Sequence, residues 1–277
     1  GSQLQLTYIQ ISGSYRIQTA TTVTGGSVNA VQTFDYDLTN RRTRVTDNAG
    51  RFADYFYDTQ DRLTKVQTPE VSGVRSYTRY EYDADGNVSL AASGRVGGEA
   101  EERIVSYAYT NGNLLESRDS GGNTIRWTYT SANQVETQTV FATPDLDGAG
   151  SGQPGGGRTT RYIYDAEQHL RYVISPEGRV THNGYNSNGT RSASIVYTKD
   201  YYTGGTYTES SLSSWVTGGT VDRSQSERID YLYDFRGQLT QAIRYGSIKA
   251  NGTGNGTPQI TYYVYGRAGE LIQTISP

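Results

Sequence analysis

Tyr231-Leu232-Tyr233-Asp234-Phe235-Arg236-Gly237-Gln238-Leu239 is the stretch that decides the fold. Aromatics at i and i+2 fall on one face of a β-strand, because side chains alternate along it. The Asp after the second Tyr can accept from backbone amides two residues on and so open a turn. Gly237 tolerates the positive φ that such a turn requires, and Leu239 restarts the pleat on the return strand. These nine residues predict one β-hairpin with its tight turn at the Asp-x-x-Gly step.

The phrase recurs along the chain. Clear copies are Tyr55-Phe56-Tyr57-Asp58 with Asp61 and Leu63, and Tyr80-Glu81-Tyr82-Asp83 with Gly86 and Val88. Tyr162-Ile163-Tyr164-Asp165 with Leu170, and Tyr263-Val264-Tyr265 with Gly269 and Leu271, are two more. Degraded copies start at Tyr36-Asp37, Tyr109-Thr110, Tyr129-Thr130 and Tyr185-Asn186, the last with Gly189. About nine units result, and internal repetition of this kind governs the fold. In the Tyr36 and Tyr129 units, Asn40 and Asn133 stand where positive φ is expected.

A second turn class joins hairpin to hairpin. Asp47-Asn48-Ala49-Gly50, Asp119-Ser120-Gly121-Gly122 and Ser175-Pro176-Glu177-Gly178 lie between return strands and the next aromatic pair. Short turns at both ends imply a continuous antiparallel meander. A lone hairpin is marginal in water, so each must pair with its neighbours. The expectation is all-β: one array over residues 3–277, curved or spiralling, with Gly1-Ser2 read as a cloning remnant. Three segments rich in Gly, Ser, Thr and Asn, at 141–158, 198–226 and 246–258, read as long loops. The middle one carries Tyr201, Tyr202, Tyr207 and Trp215 and reads as a small packed excursion.

Composition agrees. Tyr supplies 25 residues against 5 Phe and 2 Trp, and its broad ring favours strands. With 33 Gly, turns are abundant, and a helical reading has almost no support. A net charge of −3 with scattered Arg forms no basic stripe and argues against nucleic acid. No apolar run reaches the roughly 18–20 residues that span a bilayer, so no membrane insertion is expected. The absence of Cys removes thiol catalysis and Cys-based zinc sites, and the composition suits a secreted or cell-surface bacterial protein.

Residues able to carry chemistry are few. His169 and His182 sit in no ligand or triad pattern and read as sheet or turn residues. Asp145-Leu146-Asp147-Gly148 begins like a calcium loop but lacks its later oxygen ligands. Asp145 and Asp147 are therefore the weak metal candidates, and a polar loop is the expected reading. Gly155-Gly156-Gly157-Arg158 would cradle a phosphate only at a helix mouth and reads as a loop tip. Glu99, Glu101 and Glu102 read as a solvated turn. No catalytic residue and no cofactor is expected. The Tyr pairs read as a ladder holding the sheet, with stacking on sugar rings as the alternative.

The units built on Tyr57-Asp58, Tyr82-Asp83, Tyr164-Asp165 and Tyr233-Asp234 resemble the YD-repeat, or RHS-repeat, family over about residues 30–277. Its members wind β-hairpin ribbons into hollow shells, which in bacterial toxins enclose a C-terminal toxin and in teneurins belong to an adhesion receptor. The resemblance implies a non-catalytic structural module, a segment of an encapsulating shell or spacer. Its partners would be neighbouring repeats and a C-terminal toxin cargo. The alternative is an adhesion module that binds glycans or a cell-surface receptor. The Asp-Pro pairs of the self-cleaving region that ends such toxin shells are missing, since the prolines follow Thr68, Thr143, Gln153, Ser175, Thr257 and Ser276.

Overall fold

A computed structural model describes residues 2–98, 101–146, 154–219 and 221–277, with the side chains at 102 and 103 left out. It is nearly all-β and antiparallel, built of successive hairpins. Two compact units divide the chain: residues 1–124 with 143–155, and residues 125–142 with 156–277.

The first unit holds β1 (Ser2–Ile11), β2 (Ser14–Thr24), β3 (Ser27–Asp37), β4 (Arg42–Asp47) and β5 (Phe52–Tyr57). It continues with β6 (Leu63–Gln67), β7 (Ser76–Tyr82), β8 (Val88–Arg95), β9 (Glu101–Thr110) and β10 (Asn113–Asp119). Every strand pairs with the next in sequence, as the alternation of short turns requires. Few apolar side chains are buried here, and a polar cluster takes their place. Asp54, 2% exposed in the middle of β5, receives Arg44 at 2.7 Å and Arg75 at 3.1 Å. Both guanidiniums lie over the Phe52 ring, at 3.8 and 4.6 Å from its centre, a cation–π arrangement that shields the pair from water. Burial pushes the Asp54 carboxyl up, but the bonds from Arg44 and Arg75 outweigh it and hold the group below its ordinary range.

In the second unit β11 (Thr124–Tyr129) pairs with β12 (Val135–Thr143). Then follow β13 (Gly155–Tyr164), β14 (Leu170–Ile174), β15 (Arg179–Tyr185), β16 (Arg191–Tyr201), β17 (Glu227–Tyr233) and β18 (Leu239–Tyr245). The short β19 (Ser247–Ile248) and β20 (Gly254–Asn255) pair with each other, and β21 (Gln259–Tyr265) pairs with β22 (Leu271–Ile275). The meander runs through the insertions without a break. Val196 of β16 faces Glu227 of β17, and β18 pairs directly with β21. An insertion between strands that stay paired costs only loop-closure entropy, which grows slowly with length.

Two segments expected as loops are ordered otherwise. Gly155-Gly156-Gly157-Arg158 opens strand β13, and 246–258 contains the β19–β20 hairpin. The helical reading dismissed from composition holds at one place, α1 (Glu209–Thr217) within 198–226. Thr208 caps it by accepting the Ser211 amide at 3.2 Å, and Glu209 sits in the first turn, where negative charge suits the helix dipole. Leu212 and Val216, one turn apart, are 0% and 5% exposed. They close over Tyr172, Ile174, Val180, Ile195 and Tyr197 of the sheet, with Trp215 at the margin. An inserted segment thus supplies the lid of the unit's apolar core.

Candidate functional site

The repeated Tyr–Asp turn is where the sequence concentrates its unusual residues. Asp58 Oδ1 accepts the amides of Gln60 and Arg62, and Oδ2 accepts the Arg62 side chain at 2.7 Å. Asp83 does the same with the amides of Asp85 and Asn87 and the Asn87 side chain. Asp234 binds the amides of Arg236 and Gln238, and Asp165 that of His169. Thr130 substitutes its hydroxyl for the carboxylate, accepting from Ala132 and Gln134. The same bonds recur in the hairpin-to-hairpin turns at Asp47 and Asp119. For Asp83 and Asp119 the Asn side chain four residues on is the largest cause of a lowered carboxyl pKa; for Asp47 and Asp58 burial raises it, but bonds from Arg51 and Arg62 prevail.

Positive φ falls at Asp61, Gly86, Asn133, Gln168, Gly189, Gly237 and Gly269, the fourth residue past each second Tyr. The Tyr36 unit differs from expectation. Arg41, not Asn40, takes the left-handed conformation, because Asp37 holds the Asn40 amide and side chain and the turn lengthens by one residue. Past Tyr109 the turn shrinks to Asn111-Gly112, both at positive φ, as two-residue hairpins prefer.

Two features of the site were not read from the sequence. First, a bulge recurs beside the second Tyr. Phe56 faces Lys65 while Tyr57 faces Leu63, so Thr64 has no partner, and the same slip recurs at Tyr82/Val88, Tyr129/Val135, Tyr164/Leu170, Tyr185/Arg191, Tyr233/Leu239 and Tyr265/Leu271. Second, the residue opposite one second Tyr accepts the hydroxyl of the next. Tyr82 donates to the Leu63 carbonyl at 2.6 Å, Tyr164 to Val135 at 2.9 Å, Tyr185 to Leu170 at 3.0 Å and Tyr233 to Arg191 at 3.0 Å. Tyr36 reaches Ile17 in the same manner. Burial raises the pKa of Tyr36, Tyr82, Tyr164 and Tyr233, which keeps each hydroxyl a donor. No fixed spacing in the sequence signals these bonds, because Tyr and acceptor stand 19, 29, 15 and 42 residues apart.

In four units the residue after the positive-φ position covers the next hairpin. The Arg62 guanidinium lies 4.5 Å over the Tyr82 ring, and His169 stacks on Tyr185 at 4.6 Å. Gln134 donates to the Gln168 carbonyl at 2.9 Å, and Gln238 to that of Gly269 at 3.0 Å.

The chemistry-bearing candidates fall apart from one another. Asp145 is buried beside Arg118, at 3.8 Å, and its amide donates to the Gly122 carbonyl. Asp147 and Glu99 lie outside the described residues, as does the Glu102 side chain, while Glu101 pairs with Arg79. Among the described residues, Asp165, Glu167 and His169 bring metal-capable atoms within 4.8 Å of one another. Asp165 and His169 nevertheless repeat the Asp58–Arg62 turn, with the imidazole Nδ1 3.4 Å from Asp165 Oδ2 in place of the guanidinium. His182 lies against Tyr172 at 4.7 Å; burial, then Arg171 and Arg228, bring its pKa down to about 4. No helix among the described residues is long and apolar enough to cross a membrane.

Among solved structures, the chain is similar to the TcdB2-TccC3 complex (14% identity, TM-score 0.47) and to TcdB2-TccC3-Cdc42 (14% identity, TM-score 0.45). Each alignment covers 94% of this chain, which spans 15% of the length of those chains. A porin-like protein from Bacteroides uniformis aligns at 10% identity over 95% of this chain and 91% of its own, with a TM-score of 0.27. No curated protein matches in sequence. The RHS Repeat family model matches residues 36–72, the span that holds the Tyr36 and Tyr57 units. Beyond residues 36–72 the chain resembles RHS repeats in the same bonded turn, which recurs from unit to unit.

Proposed function

We infer that the chain is a non-catalytic structural module, a wall segment of an encapsulating shell or spacer in a larger secreted or surface RHS protein of toxin type. One observation carries this reading: the repeated motif is engaged with itself. The turn carboxylates of Asp58, Asp83 and Asp234 are bonded to their own turns, and the hydroxyls of Tyr82, Tyr164, Tyr185 and Tyr233 are bonded to the preceding hairpin. Catalysis needs a nucleophile, a base and an oxyanion donor converging on one point, and these residues converge on backbone instead. Neighbouring repeats are then the first partners, and a toxin cargo of the parent chain is the expected content of the shell.

A second reading, adhesion to glycans or a cell-surface receptor, rests on rings left in solvent. Phe235 is 93% exposed at a turn tip, and Tyr15 is 72% exposed on β2. A glycan array probed with the intact chain, run beside hydrolase, nuclease and glycosidase screens, separates the readings. The structural reading expects no retained glycan and no turnover. Glycan retention abolished by Phe235→Ser would establish adhesion, and turnover lost on mutating His169 or His182 would establish an enzyme.

A further inference from the structure

We propose that the cavity roofed by α1 and the β19–β20 hairpin in the second unit binds a small carboxylate with an apolar body. The cavity measures about 560 Å³, within the range of small-molecule sites. Ile195 of β16, Val216 of α1 and Ile248 of β19 give it apolar walls, each under a tenth exposed. Arg223 and Arg228 line the same space, and no carboxylate does.

Charge selects the ligand. Arg228 is neutralised by Asp230 at 2.6 Å. Arg171, which reaches His182 Nε2 at 3.4 Å, has Glu209 at 3.8 Å. Arg223 donates to the carbonyls of Ala250, at 2.6 Å, and Val216, and has no ion-pair partner among the described residues. A guanidinium has five donors, so Arg223 retains some for a ligand. One uncompensated cation suits a monoanion better than phosphate, which carries up to two charges.

The second, independent feature is Tyr197. It lines the cavity, is 3% exposed, and its hydroxyl has no hydrogen-bond partner among the described residues. Burial lifts its pKa to about 12, so at neutral pH the hydroxyl keeps its proton and can donate it. The hydroxyl bonds no described side chain or carbonyl and is therefore open to donate to a carboxylate oxygen that enters the cavity. His182, on the same wall, is held neutral by burial first and then by Arg171 and Arg228.

Benzoate is the probe, with benzamide as its neutral isostere and inorganic phosphate as the dianionic comparison, each titrated into the intact chain by calorimetry and NMR. Benzoate should saturate a single site, with benzamide and phosphate each at least about tenfold weaker. Tyr197→Phe, which keeps the ring and its packing, should weaken benzoate about tenfold, since bonds to charged groups are the stronger class. Arg223→Gln should abolish binding; because Arg223 also ties down two backbone carbonyls, Tyr197→Phe keeps the test readable if that variant loosens. Bound benzoate should also move the His182 titration upward from about 4. Failure of benzoate to bind, equal binding of benzamide, or an unchanged affinity in Tyr197→Phe would overturn the proposal.

Discussion

Gly178→Ala and Gly237→Ala make a paired experiment on how the insertion at 198–226 is attached. Both glycines sit at positive φ, +90° and +80°, where an added Cβ meets the following carbonyl at a cost of roughly 1–2 kcal/mol. Around Gly237 a Cβ finds open space, so that conformational cost should be the whole effect. At Gly178 a Cβ would lie 2.6 Å from the Tyr202 carbonyl oxygen, and backbone cannot swing aside as a side chain does. Tyr202 donates its amide to the Gly178 carbonyl at 2.8 Å, so relief of the clash breaks that bond, worth about 0.5–1.5 kcal/mol. It also displaces the buried Tyr202 ring from Trp215, 5.8 Å away. Gly178→Ala should therefore cost about 2–4 kcal/mol against about 1–2 for Gly237→Ala. Denaturant unfolding gives the totals, and hydrogen exchange should place the extra loss in residues 198–226. Equal costs, or extra loss spread evenly along the chain, would refute the claim that this turn glycine anchors the insertion.

Leu212→Ala removes a side chain with no solvent exposure, and should cost about 3 kcal/mol, within the range for buried Leu truncation. Exchange should accelerate across α1 while β4–β6 stay protected. The turn carboxylates predict acid lability. Asp47, Asp58, Asp83 and Asp119 have folded pKa values below their ordinary 3.8, so the stability they lend is fully present above that value and is lost as pH falls through the lower folded values. The buried His182, with a pKa of about 4 against an ordinary 6.5, should add an earlier loss that begins as pH falls below about 6.5. The melting temperature should therefore decline first there and again below about 4, and a His182→Gln variant should remove only the upper step.

The hairpin and its turn were legible because their causes are local. Period-two aromatics, an Asp that bonds forward and a residue tolerant of positive φ act within ten residues, as at Tyr231–Leu239. Helix α1 was hidden because Ser-Ser-Leu-Ser-Ser-Trp-Val has weak helical propensity, and tertiary burial of Leu212 and Val216 overrides it. The slip of register was equally silent: Thr64 resembles any strand residue, and only pairing shows that it has no partner. Arg41 took the turn position assigned to Asn40 because Asp37 bonds Asn40 in place, a competition between side chains that spacing does not reveal. The cavity beneath the insertions was illegible for a different reason: Arg223, Arg228 and Tyr197 meet only after three strands and two insertions are in place.

The hydroxyl bonds from Tyr82, Tyr164, Tyr185 and Tyr233 to the preceding hairpin are the most specific part of this account. The direct test is a quadruple variant, Tyr82→Phe with Tyr164→Phe, Tyr185→Phe and Tyr233→Phe, compared with the wild type by denaturant unfolding and hydrogen exchange. Each change keeps the ring and deletes one bond, part-buried at Tyr82, Tyr164 and Tyr185 and exposed at Tyr233, worth about 1 kcal/mol, at sites in separate hairpins whose effects should nearly add. The account predicts a loss of about 4 kcal/mol, with faster exchange in the hairpins on both sides of each site. Unchanged stability and unchanged protection would contradict it, and would mean that the hydroxyls serve something other than the fold.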